Sequence, residues 1–210
     1  MPPLAPNFAS ACSTACRLAE AGEQVRVLGG TIARNHITVP RLEYLYEIAY
    51  LRIFIAWEDF LEESFVRYLC GFRSSLGPVG RAGGAAHCTS IQAARALLYG
   101  NQQYKLWHDA QVIIKRSQGH FQNGLHETVI NSSQTRLQWF ANIRHRVAHG
   151  QLDAQRKFDM ATVQLVGRRY PGSRVGRFLR ELVANQNPPV RWLDVIASEL
   201  SALASQVVPV

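Results

Sequence analysis

Tyr50-Leu51-Arg52-Ile53-Phe54-Ile55-Ala56-Trp57-Glu58-Asp59-Phe60-Leu61-Glu62-Glu63-Ser64-Phe65-Val66-Arg67-Tyr68-Leu69 is the most regular stretch of this chain. Tyr50, Ile53, Phe54, Trp57, Phe60, Leu61, Phe65, Tyr68 and Leu69, with Phe72 beyond them, recur at steps of three and four. That is the repeat of a helix with one broad apolar face. No glycine or proline interrupts the run before Gly71, so the spacing predicts one long core helix from Arg41 to about Arg73. Its acids are Glu43, Glu47, Glu58, Asp59, Glu62 and Glu63. Most belong on a solvated face, and one of Glu58, Asp59 or Glu62 is a candidate to hold an arginine in place.

The flanking sequence adds helices rather than strands. Residues 1–8, with three prolines, are expected to fray, and residues 9–28 to form a helix that Gly29-Gly30 ends. Residues 31–40 read as a loop with modest strand potential, and the Gly-, Ser- and Pro-rich residues 74–90 as a loop. Ser90 suits the N-cap of a short helix to Leu98. Residues 101–121 are mixed, with 110–117 the helical part, and Gly119 and Gly124 mark turns. Ser132 or Ser133 can cap a helix through Leu137, Trp139, Phe140, Ile143 and Val147, with Gly150 just past its end. Asp153–Leu165, with Phe158 and Val163 inward, Val175–Ala184 and Trp192–Val207 complete the helices. Residues 185–189 separate the last two. The sum is an all-α chain with long loops and extra terminal helices. It is expected to be a single domain, with residues 1–40 as an extension carrying one helix and residues 41–210 as the main helical body.

Composition narrows the class. Of 210 residues, 47% are hydrophobic and 18% charged, enough to build a core. The net charge of +8 suits nucleic acid, a membrane surface or an acidic partner. Residues 141–180 hold nine Lys and Arg against Asp153 and Asp159, which is nearly all of that excess. Cys12, Cys16, Cys70 and Cys88 lack the spacing of a disulfide framework or of a zinc site. Reduced thiols, no metal and no cofactor are therefore expected. With no leader-like N-terminus and no apolar run long enough for a bilayer, a cytoplasmic protein without membrane contact is expected.

The densest chemistry is Ile143-Arg144-His145-Arg146-Val147-Ala148-His149-Gly150. An imidazole titrates near neutrality and moves protons at physiological pH. A guanidinium stays charged and grips phosphate with a fork of donors. RNA cleavage needs both functions: the 2′-hydroxyl must lose a proton, the charge at phosphorus must be stabilised, and the leaving oxygen must gain a proton. The substrate carries its own nucleophile, so no metal is required. On a regular helix positions five apart diverge by about 140° while positions four apart share a face. His145 and His149 therefore converge, whereas Arg144 and His149 meet only through a loosened last turn or across two subunits.

Arg144-His145-Arg146-Val147-Ala148-His149 resembles the R-x4-x6-H motif of the HEPN superfamily, in which the residue after the arginine is usually polar. The long helix around Ala56–Glu63 resembles the first core helix of stand-alone bacterial HEPN proteins. Val112–Phe121 and Pro171–Leu179 are similar to parts of the MAE-like branch. The resemblance implies a bundle of four to five core helices and a homodimer formed through the motif helices. It also implies a metal-independent endoribonuclease that leaves 2′,3′-cyclic phosphate ends. By it His149 is the acid/base, Arg144 the phosphate ligand and His145 an assistant, with Glu58 or Glu62 orienting Arg144. Toxin or phage-defence roles follow, with an antitoxin or a partner encoded alongside. Where some such toxins carry a modifiable tyrosine two residues past the histidine, this chain has Gln151. Other members are non-catalytic modules that bind RNA, nucleotide or protein, and this remains the alternative.

Beyond the motif, Arg146, Arg168, Arg169, Arg174 and Arg177 can track an RNA backbone, with Tyr170 free to stack on a base. The competing reading is a basic, solvated loop. Trp57, Trp139 and Trp192 belong to the core. His36, His87, His108, His120 and His126 read mostly as surface or loop residues.

Overall fold

The long apolar face folds as expected. Helix α3 spans Val39–Leu69, two residues earlier at its start and four earlier at its end than the spacing suggests. Pro40 sits in the first turn, where its missing N–H costs no hydrogen bond. Gly71, just past the end, takes a positive φ of 79°.

The computed structural model describes residues 1–102, 105–184 and 186–209. Asn185, the first residue of the expected separator, lies outside them, as do Gln103 and Tyr104 of the mixed stretch. In chain order the helices are α1 (Leu4–Leu28), α2 (Gly30–His36), α3, α4 (Ile91–Tyr99), α5 (Ala110–His120), α6 (Leu125–Ser132), α7 (Gln134–Ala148), α8 (Leu152–Val166), α9 (Val175–Arg180) and α10 (Trp192–Val207). Strands β1 (Gly80–Arg81) and β2 (Phe121–Gln122) pair antiparallel, Gly80 with Gln122 and Arg81 with Phe121. The fold is all-α, and among the described residues this two-residue ladder is accompanied only by isolated β-bridges. Among the described residues no helix is long and apolar enough to cross a membrane.

Several local expectations need correction. The prolines do not fray the start: α1 begins at Leu4, and Ala5 and Phe8 are buried. Residues 31–40 hold no strand, since α2 occupies them with no residue buried. Gly119 lies inside α5, and α6 follows where only a turn was expected. Val163 is on the exposed side of α8. α9 stops at Arg180, because Leu182 pairs with Arg191 in a β-bridge.

The helices group into two compact units, and α3 supplies residues to each. In the unit of residues 1–8, 56–138 and 200–210, Trp57, Phe60, Phe65 and Tyr68 of α3 form the core. Phe8 packs on Trp57 with ring centroids 5.5 Å apart, and Phe121 on Phe65 at 4.8 Å. The Tyr68 hydroxyl donates to the Val207 carbonyl at 2.8 Å. His126, fully buried, shares a 2.8 Å hydrogen bond with Ser64, so it is a core group and not a loop histidine.

The other unit comprises residues 9–55 and 139–199. Leu42, Tyr46, Tyr50 and Ile53 of α3 meet Phe140 and Ile143 of α7, Phe158 of α8 and Phe178 of α9 in its core. The Tyr50 hydroxyl donates to the Phe140 carbonyl at 2.8 Å, tying the long helix to α7 one turn before the motif. α9 approaches α3 at Gly176, where any Cβ would collide with the Glu43 carbonyl.

Candidate active site

The motif forms the last turn of α7, and its apolar residues anchor it. Phe140, Ala141 and Ile143 are buried, Arg144, His145 and Arg146 are half-buried, and His149 is exposed. The last turn does not loosen. The His149 N–H donates to the His145 carbonyl at 2.9 Å, so α-helical bonding persists to the motif's final residue. Gly150 follows without the left-handed backbone of a typical glycine stop. The His145 and His149 rings therefore lie one above the other, with centroids 4.7 Å apart. The Arg146 guanidinium donates to the His149 carbonyl at 3.3 Å and caps the helix end. Arg144 lies on a different flank, as helical geometry requires.

The surroundings of the imidazole pair are cationic. Burial pushes the His145 pKa down first, and the facing His149 and Lys157 push it further, while Asp153 opposes them. His145 is thereby kept neutral at pH 7 and suited to accept a proton. Lys157 and Asp153 are themselves joined at 2.7 Å across one turn of α8.

Two acids of α3, to which the spacing assigns no site role, share the motif's unit. Glu43 is buried and holds Arg174, whose Nε donates to it at 2.9 Å. Glu47 accepts the Gly176 N–H at 2.9 Å. Burial raises the Glu47 pKa, and Glu43 adds to this, against the pull of Gly176, Arg146 and Arg174. A signal was present: Glu43 and Glu47 are one turn apart and flanked by Leu42, Tyr46 and Tyr50, at the border of the apolar face.

The nominated acids, Glu58 and Glu62, belong to the stretch of α3 in the other unit. Glu58 approaches His108 Nδ1 at 3.4 Å, and Glu62 accepts the Tyr99 hydroxyl and pairs with Arg95 at 3.7 Å. These partners all belong to the unit of residues 56–138. Of the nominated RNA-binding residues, Arg169 and Arg177 are exposed, Arg168 is held by Glu181 and Arg174 by Glu43. Tyr170 is not free to stack on a base. It is 3% exposed, its hydroxyl donates to Glu181 at 2.7 Å, and its ring packs on Phe178 with centroids 5.6 Å apart.

None of the four cysteines is joined in a disulfide. Among the described residues no three His, Cys, Asp or Glu side chains gather as a metal-ligand set. Comparison with known proteins gives no match to any family model, curated protein or solved structure.

Proposed function

We propose that this protein is a metal-independent endoribonuclease of the HEPN type that acts as a homodimer. The observation that carries the reading is the His145–His149 pair, with rings 4.7 Å apart at the partly exposed, cationic end of α7. In this reaction one imidazole takes the proton of the ribose 2′-hydroxyl as O2′ attacks phosphorus. The other gives a proton to O5′ as the P–O5′ bond breaks. The products are a 2′,3′-cyclic phosphate and a 5′-hydroxyl, and protons balance over the pair. Neutral His145 suits the accepting role, and exposed His149 the donating one. Arg146, and Arg144 of the partner subunit, supply the positive charge that phosphorus needs in the transition state. A nuclease of this kind suits a cytoplasmic toxin or defence component held in check by a protein antitoxin.

The test is incubation of purified protein with mixed RNA in excess EDTA, with analysis of product ends. Cleavage should persist and leave cyclic phosphates. His149→Ala and Arg144→Ala should each lower the rate by about a hundredfold or more. Loss of all cleavage on chelation, or full activity in both variants, would overturn the assignment. RNA retention without product would favour a binding module.

A further inference from the structure

Residues 85–88 return to the end of α3 after the glycine-rich loop. The Cys88 N–H donates to the Leu69 carbonyl at 2.8 Å, and the His87 ring sits over Gly71, where an added Cβ would come within 3.0 Å of it. Cys88 is thereby placed beside Cys70. Through that hydrogen bond, standard backbone dimensions hold the Cα atoms of residues 70 and 88 to at most about 7 Å apart, within the reach that a disulfide can bridge. Both thiols are half-buried, and both belong to the unit that contains residues 56–138.

Arg81 closes this corner. It is a buried cation, 8% exposed. Its Nε donates to the His120 carbonyl at 3.1 Å, and its Nη1 to the Ala86 carbonyl at 3.1 Å and to the Cys88 sulfur at 3.7 Å. Among the described residues no carboxylate lies within ion-pair distance of it. A buried charge without a counter-ion is costly, and the acidic group that Arg81 touches is the Cys88 thiol. Cys70 differs. Burial pushes its pKa up, and Cys88 adds to this, against the pull of Arg67 and Arg81. A thiol provided with a cation thus stands beside one that is kept protonated.

We infer that Cys88 and Cys70 form a redox pair that a peroxide closes into a disulfide. The Cys88 sulfur, losing its proton beside Arg81, attacks a peroxide oxygen. The S–O bond forms, the O–O bond breaks, and with hydrogen peroxide the departing hydroxide takes up a proton as water. Cys88 is then a sulfenic acid. The Cys70 sulfur attacks the Cys88 sulfur in turn. The S–S bond forms, the S–O bond breaks, and the hydroxide leaves with the Cys70 proton as a second water. Two electrons pass from the two thiols to the peroxide, and a dithiol reductant reverses the change. The cross-link ties residues 71–87 into a closed loop on the end of α3. Cys16 provides the contrast. Burial raises its pKa, and Asp194, its hydrogen-bond partner, raises it further, so it lacks this reactivity. The pair does not belong to the motif's unit, and the inference does not depend on the ribonuclease reading.

Tryptic mapping by mass spectrometry without reductant tests it. After brief treatment of the reduced whole chain with hydrogen peroxide, Tyr68–Arg73 should appear joined to Ala82–Arg95, at the summed mass less two hydrogens. Dithiothreitol should separate the two peptides. In Cys70→Ser the chemistry should stop at the sulfenic acid, so dimedone should label Cys88. In Cys88→Ser, Cys70 should stay unlabelled. Arg81→Gln should slow the cross-link about tenfold or more, read on the longer Ser74–Arg95 peptide. Circular dichroism checks that each variant is folded, and the two serine variants test the order of events without touching Arg81. The pair is overturned if no Cys70–Cys88 peptide forms, if Cys16 is oxidised as fast as Cys88, or if Cys70 is labelled in Cys88→Ser as readily as Cys88 in Cys70→Ser. A folded Arg81→Gln protein that cross-links at the wild-type rate would overturn the role of Arg81.

Discussion

His126 shows how much one side chain's surroundings can change its chemistry. It lies against Phe65 and Tyr68, with ring centroids at 5.1 and 5.8 Å, and shares its Nε2 with Ser64. Burial lowers its pKa to about 3. The unfolded chain takes up the proton near the ordinary value of 6.5, while the folded chain stays neutral. The contribution to stability is complete above pH 6.5 and is lost as pH falls below it, down to about pH 3. Between pH 7 and 5 the loss is about 2 kcal/mol. Urea denaturation of wild type and His126→Gln at both pH values should show this dependence shrinking in the variant; an equal pH dependence in both would sink the assignment. Sequence could not reveal this role, because Ser64 is far away along the chain and a histidine in a Gly- and Asn-rich segment reads as loop. Glu47 escaped for a similar reason: the Gly176 amide and Arg146 that define its setting come from distant segments.

At the scale of elements, a helix was legible wherever its apolar repeat was long or its cap distinct. α3 and α10 are plain from spacing, and α4 from Ser90, whose side chain accepts the Ala93 N–H at 3.1 Å. α6 was lost because its buried set is His126, Val129 and Ile130, and a histidine at the first position breaks the apolar pattern. α2 buries nothing, so there was no pattern to find. The helical start of the chain was hidden by prolines, yet Pro6 lies in the first turn and Phe8 anchors the segment on Trp57. α5 owes its start to a cap that was overlooked: one Asp109 carboxylate oxygen accepts the amides of Gln111 and Val112 at 2.9 and 3.2 Å. Asp109→Ala should cost about 1 kcal/mol. For a chain of this size that lowers the melting temperature by roughly 2–4 °C. An unchanged melting temperature would show that the cap contributes nothing to α5.

For the whole molecule, the basic window from residue 141 to 180 looks like free charge in sequence, and its carboxylate partners are invisible there because they lie mostly outside it. Arg174 is held by Glu43, Arg180 by Glu23 and Arg168 by Glu181, while Lys157 pairs locally with Asp153. The pairs of Arg174 and Arg180 join α9 to α3 and α1, so those cations help to hold one unit together. At most five of the nine basic side chains are left for phosphate. Each phosphate contact on a single strand steepens the fall of log affinity with log salt by about 0.7. RNA binding by the cleavage-deficient His149→Ala protein should therefore fall with a slope no steeper than about −3.5 for each chain that the RNA engages, where nine free cations per chain would give about −6. Filter binding from 50 to 300 mM salt, values chosen on the order of the physiological range, measures it. A slope near about −6 per chain would mean that RNA pulls Arg174 and Arg180 from their carboxylates. Binding would then loosen α9 from α3, and protection of the Gly176 amide from hydrogen exchange would fall when RNA is added. With the shallow slope that protection should hold or rise, because the Glu47 contact to that amide remains closed.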